Sequence, residues 1–132
     1  MPLRISLKAG ERLIVGGAVV RNGKSRCDLV IENDVPILRG REVLSLEDAD
    51  SPCRRIVFTI QLMYLDPDHA VEHHALYAEL VQDVLQASPS MTPLVAEISE
   101  RIAAGQFYPA LKLGRTLIAY EEELISHAAV RS

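Results

Sequence analysis

Tryptophan is absent from the 132 residues, and the six aromatic side chains (four Tyr, two Phe) all lie beyond residue 57. The first part of the chain therefore lacks the stacking rings on which RRM-like and OB-like RNA binders lay their bases. No apolar run approaches the roughly 18 residues that a membrane span needs. The opening MPLRISLKAGER carries charges where a signal peptide has an apolar stretch, so the chain reads as cytoplasmic and away from the membrane. Cysteine occurs twice, as Cys27 and Cys53, with no CxxC or Cys-His spacing, and in a reducing compartment both read as ordinary thiols. The length suits one domain, or one small domain with a helical appendage, and a hydrophobic content of 48% is ample for a core.

Signatures of catalysis and of resident cofactors are equally scarce. Gly10, Gly16, Gly17 and Gly23 match neither GxGxxG nor GxxxxGK[ST], and none stands between a strand and a helix. His69 and His73 have the i, i+4 spacing of two ligands on one helix face, with His74 beside them. No HExxH and no nearby cysteine completes a metal site, and Glu72 as a third ligand would converge poorly, so a solvated helix face is the expectation. Ser6 and Ser51 lack a nucleophile elbow, and Cys27 lacks a histidine partner in the sequence. Glu121, Glu122 and Glu123 point about 100° apart on a helix and cannot converge on one bond. The expectation is a protein that is not an enzyme and that needs no cofactor and no metal.

What the chain does contain changes character near residue 44. LRISL (3–7) alternates like a half-buried strand with Leu3, Ile5 and Leu7 inward. RLIV (12–15), AVVR (18–21), DLVIE (28–32) and VPILR (35–39) follow as short strands. Gly16-Gly17 reads as a hairpin turn, and Asn22-Gly23 as a type I′ turn with positive φ at both positions. Pro36 places the start of the fifth strand at an edge. Beyond LEDAD, Ser51-Pro52 opens a helix through RRIVFTIQLMYL that is apolar on several faces. Asp66-Pro67-Asp68 ends it. A second helix over 69–87 buries Leu76, Leu80, Val84 and Leu85, and a third from Thr92-Pro93 to Gly105 buries Leu94, Ile98 and Ile102. A fourth over 108–127 buries Leu111, Leu117, Ile118, Leu124 and Ile125, leaves the three glutamates in solvent, and carries Gly114 as the mark of a close helix crossing. The fold class is α+β: a small N-terminal antiparallel sheet or barrel of about five strands (1–44), then a bundle of about four helices (51–132).

Charge divides the same way. Residues 1–41 hold eight bases, Arg4, Lys8, Arg12, Arg21, Lys24, Arg26, Arg39 and Arg41, against the acids Glu11, Asp28, Glu32 and Asp34. The remainder holds six bases and fourteen acids, which brings the whole chain to −4. A positive lobe on an acidic protein points to a polyanion partner. Arg4 and Ser6 can share one strand face, and Arg39 and Arg41, two apart at the end of the fifth strand, can stand together. Guanidinium groups grip phosphate in a fork and stack on bases, which suits single-stranded RNA. On charge pattern alone a solvated arginine face competes with this reading.

The opening MPLRISLKAGERLIVGGAVVRNG, the VIEND and VPILR segments, and SPCRRIVFTIQLMYLDP resemble the FlbT family of flagellar regulators over essentially the whole chain. Val57 stands where that pattern leads one to expect an aromatic. The resemblance implies a post-transcriptional repressor that associates with the 5′ untranslated region of flagellin mRNA, and a functional relation to the small partner FlaF. More faintly, GERLIVGGAVV and LRGREVL are similar to segments of the CsrA family of translational regulators. By that analogy Arg41 takes the place of an RNA-contacting arginine with Arg4 on the opposing strand. An interleaved dimer would then set each Arg4 near the partner's Arg41. The chain departs from that family in the loop between the third and fourth strands and in its four helices.

Two functional expectations follow. The first is an mRNA-binding translational repressor that uses Arg4, Lys8, Arg39 and Arg41, with auxiliary charge from Arg12, Arg21, Lys24 and Arg26, and that forms a homodimer. The second is a protein-interaction module whose acidic helices receive an amphipathic helix from flagellin or a FlaF-type partner, without direct RNA contact.

Overall fold

The computed structural model describes residues 2–131, with side chains over 2–128. Two compact units divide the chain, Met1–Val43 and Leu44–Ser132. Among the described residues the first holds β1 (Leu3–Leu7), β2 (Arg12–Val15), β3 (Ala18–Arg21), β4 (Cys27–Ile31) and β5 (Ile37–Arg39), then a 3-10 turn at Gly40–Glu42. The second holds α1 (Pro52–Leu65), α2 (Ala70–Ala87), α3 (Thr92–Ala103) and α4 (Phe107–Arg131). The α+β class expected from the sequence is observed.

Alternation along the strands sets the core of the first unit. Ile5 and Leu7 of β1 and Leu13 of β2 are buried, and Val15, Cys27, Leu29, Ile31 and Ile37 pack against them. Leu3, expected inside with them, is 49% exposed because it pairs with Ile31 at the open end of its ladder. The strands make two antiparallel sheets: β1 with β4, and β2 between β3 and β5. Gly16 turns β2 into β3 with φ +58, a conformation that an L side chain resists.

Asn22-Gly23 departs from the expected type I′ turn, since neither residue takes positive φ. The chain does not fold back on β3 at this point but crosses to β1. Asn22 is a junction instead. Its Nδ2 lies 3.2, 2.8 and 2.9 Å from the carbonyls of Leu7, Lys8 and Ser25. Its Oδ1 accepts from the Gly23 N–H and from the Cys27 thiol. The fifth strand is also shorter than expected. Pro36 stays outside it, and the Pro36 carbonyl accepts the Gly16 N–H at 2.8 Å.

In the second unit Ser51 caps α1 by accepting from the Arg54 N–H, with Pro52 at the first helical position. Helix α1 is buried on several faces, as its apolar run predicts: Cys53, Ile56, Val57, Thr59, Ile60, Gln61 and Met63. Three corrections follow from packing. On α2 the buried residues are Tyr77 and Val84, whereas Leu76 is 44% exposed. The Tyr77 hydroxyl meets Ser99 Oγ at 2.7 Å, which lets a large ring with a polar tip occupy the position expected for a leucine. On α4 Ile125 is 59% exposed while Glu121 is buried. The Glu121 carboxylate accepts from the Ser51 hydroxyl and, at 2.9 Å, from the Cys53 N–H, so an anion meets the positive end of α1. Burial, and then this carboxylate, push the Cys53 thiol up to about 12, which keeps it protonated.

The expected crossing at Gly114 is observed, because a Cβ there would lie 2.8 Å from Val57 Cγ2. Valine is stiff at χ1 and cannot swing aside. Gly114→Ala should therefore lose stability: overpacking costs about 1–3 kcal/mol against roughly 1 kcal/mol gained in helix propensity. Urea denaturation checks this, and adding Val57→Ala should recover part of the loss.

The histidines serve the α1–α2 junction. Asp66 meets His69 Nδ1 at 3.0 Å and His73 Nε2 at 3.0 Å. Among the described residues no group of three or more His, Cys, Asp or Glu is placed to hold a metal ion. The Asp66 hydrogen bond, and then its charge, raise His69 above its ordinary 6.5. The same bonds, from His69 first, lower Asp66 below its ordinary 3.8. Stability from the raised histidine is present below pH 6.5 and lost as pH rises through the raised value. Stability from the lowered carboxylate is present above pH 3.8 and lost as pH falls through the lowered value. The pair thus contributes most between those two pH values. NMR titration should find His69 above 6.5, and Asp66→Asn should bring it back toward that value.

Candidate nucleic-acid interface

The topology of the first unit sorts its charges. Lys8 follows the end of β1, Arg12 opens β2, Arg21 ends β3, Lys24 and Arg26 lie in the loop before β4, and Arg39 ends β5. Antiparallel pairing brings all these strand ends to one pole, and Arg41 joins them from the 3-10 turn. The opposite pole holds the Gly16-Gly17 turn and the 32–36 loop with Glu32 and Asp34. Seven of the eight bases in this unit therefore converge, although they are spread over more than thirty positions of sequence. Arg4 stands apart, exposed in the middle of β1 and opposite Val30.

Hydrogen bonds fix the pole. The Gly10 N–H donates to the Gly23 carbonyl at 3.0 Å, and the Asn22 N–H to the Glu11 carbonyl at 2.9 Å. With the Asn22 amide, these bonds join the 8–11 turn to the 22–25 loop. Arg26 Nε donates to Ser6 Oγ at 3.1 Å, which lays its guanidinium along the face of β1 that also carries Arg4. Asp28, opposite Ser6, is the acid on that face.

Arg39 is the most engaged of the eight. Its Nη1 donates to the Ser6 carbonyl at 3.1 Å and meets Glu11 Oε2 at 3.4 Å, so it ties one sheet to the other. Arg41, expected beside it on a strand, lies instead in the Gly40–Glu42 turn, exposed. The strand breaks there because Glu42 reaches back to accept the Arg39 N–H at 2.9 Å. The two arginines nevertheless share an anion. A hydrogen bond from the Lys8 N–H, and then the nearby Arg39 and Arg41, hold the Glu11 carboxyl below the usual carboxylate range. Glu11 and Asn22 are the site residues that sequence reasoning passed over. An acid inside a basic run signals the first, whereas the Asn-Gly pair pointed to a turn type and hid the second.

Residues 3–125 match the protein family described as "Flagellar protein FlbT". The chain is 43% identical over 125 residues to a protein of Bradyrhizobium diazoefficiens named a probable flagellum biosynthesis repressor protein, FlbT 1, a match that covers 94% of this chain and 85% of that one. It is 38% identical to a protein of the same kind of name from Rhodopseudomonas palustris, over 96% of this chain and 99% of the relative. Identity to the flagellum biosynthesis repressor protein FlbT of Caulobacter vibrioides is 34%, over 98% of this chain and 93% of the relative. No solved structure is significantly similar. With a match spanning both units, the chain belongs to the FlbT family of flagellar proteins.

Proposed function

We propose that this protein represses flagellum biosynthesis after transcription, by binding the 5′ untranslated region of flagellin mRNA through the basic pole of its strand unit. The relatives' names as repressors of flagellum biosynthesis support a regulatory role, and they describe regulators rather than enzymes. The observation that carries the RNA reading is the convergence of seven bases at one end of a small sheet unit. Like charges gathered in this way are unfavourable in the free protein and favourable against a polyanion.

In this reading Lys8 and Arg41 approach the phosphates, and Arg4 extends the track along β1. Arg39 adds its charge while anchored on Ser6 and Glu11, and Arg12, Arg21, Lys24 and Arg26 supply auxiliary charge. Protein held on the leader blocks ribosome loading or favours decay. The setting is the cytoplasm, and a homodimer would double the basic surface.

A protein partner is the second reading, favoured by a groove in the helical unit. Pro52, Asp83, Val84, Met91, Leu124 and Ile125 are among the residues that line a cavity of about 320 Å³. Its apolar walls and the exposed Asp83 suit an amphipathic helix that carries a basic side chain, from flagellin or a FlaF-type regulator.

The test is a titration of purified protein with a labelled flagellin 5′ leader at several salt concentrations. With about four phosphates contacted, log affinity should fall against log salt with a slope near roughly −3. Arg41→Glu should abolish saturable binding without lowering the melting temperature. Salt-independent binding would sink the electrostatic reading. No binding by the folded protein would move the RNA effect to a partner.

A further inference from the structure

The register of β2 with β3 sets Arg12 directly opposite Arg21. The preceding pair exchanges a ladder bond, since the Asn22 N–H donates to the Glu11 carbonyl at 2.9 Å. Antiparallel pairs alternate, so Arg12 and Arg21 occupy a narrow, non-hydrogen-bonded position with Cα atoms about 4.5 Å apart. Side chains approach most closely there, and like charges at such a position are destabilising. Both arginines are exposed. Among the described residues neither guanidinium makes an ion pair or a side-chain hydrogen bond.

The contrast with the other face of the same sheet is informative. Strand alternation puts Glu11 on the side opposite to Arg12, where it meets Arg39, itself paired with Leu13 across β2 and β5. One arginine of this sheet is thus neutralised and two are left facing each other. The next narrow pair along the same face is Ile14 with Val19, and Val19 is 68% exposed. An uncompensated arginine pair beside an aliphatic strip is what a phosphodiester with its sugar and base would fill.

We propose that Arg12 and Arg21 form a clamp for a single phosphate, both guanidinium groups binding one phosphodiester of the RNA backbone. The inference rests on the RNA reading above and sharpens it, since it makes two auxiliary residues one defined phosphate subsite. A guanidinium offers paired N–H donors that match two phosphate oxygens. Two of them across a narrow strand pair have their mutual repulsion cancelled by the anion between them.

The clamp is tested by Arg12→Gln, Arg21→Gln and the double variant in the full chain, each checked by its thermal melt. In the free protein at low salt each single substitution should raise the melting temperature, and the gain should fade near 1 M salt, where the screening length is about 3 Å. Leader RNA should bind each single variant roughly tenfold more weakly and the double variant hardly more weakly than either, with the salt slope shallower by about one. Full additivity, or unchanged affinity in variants while Arg41→Glu still abolishes binding, would overturn the clamp and leave the RNA reading standing. If the wild-type protein binds no RNA, that reading falls and inorganic phosphate becomes the probe. A saturable rise in melting temperature with phosphate, lost in Arg12→Gln, would keep the clamp as a site for free phosphate. No such rise would overturn it too.

Discussion

The Asn22 side chain holds the strand unit in the one arrangement that matters for its charge. Its amide reaches the carbonyls of Leu7 and Lys8 at the end of β1 and of Ser25 ahead of β4, and its oxygen accepts from Gly23 and Cys27. A single neutral side chain thereby joins the two connections that carry Lys8, Lys24 and Arg26. Charged linkers would have added to the crowd of cations at that pole. An amide satisfies several backbone groups without altering the field.

That field is shaped more by strand parity than by composition. Glu11 and Arg12 are neighbours in sequence, yet alternation sends them to opposite faces. Glu11 then serves Arg39 and Arg41, and Arg12 is left with Arg21. Neutralised on one face and uncompensated on the other, the sheet is electrostatically two-sided although its net charge suggests a uniform basic lobe. The uncompensated side has the most to gain from an anion, while Arg39 and Arg41 share a single carboxylate and keep charge to offer, which is why register carries as much weight here as the number of bases.

The helical unit solves a different problem. Helix α1 is buried on several sides, so the free N–H groups at its start need partners that burial would otherwise deny. Ser51 supplies one from the sequence neighbourhood, and Glu121 supplies another from the far end of the chain. Outside the core Arg54 extends the contact to Asp50 and Glu122. About one turn further along α1, Gly114 admits Val57. The acidic run of α4 and its glycine are therefore the means by which α1 and α4 lie together.

Period and punctuation in the sequence were enough for the elements of this protein. Alternation at LRISL, the glycine pair at 16–17, Ser51-Pro52, Asp66-Pro67 and Thr92-Pro93 are local signals, and the strands and helices follow them closely because they depend on nearest neighbours. The Gly114 crossing was legible for the same reason, since a glycine inside a helix is costly unless something needs the room. Partners distant in sequence were not legible. Whether Asn22 turns a hairpin or bridges two loops depends on where β4 pairs, and β4 pairs with a strand twenty-odd residues away. Whether Glu121 faces solvent depends on which turn of α4 meets the start of α1. The eight bases were visible in the sequence, but the gathering of seven of them at one pole, and the isolation of Arg12 with Arg21, were decided by antiparallel register alone. Register is a tertiary property: a shift of one residue would have sent those side chains to the other face.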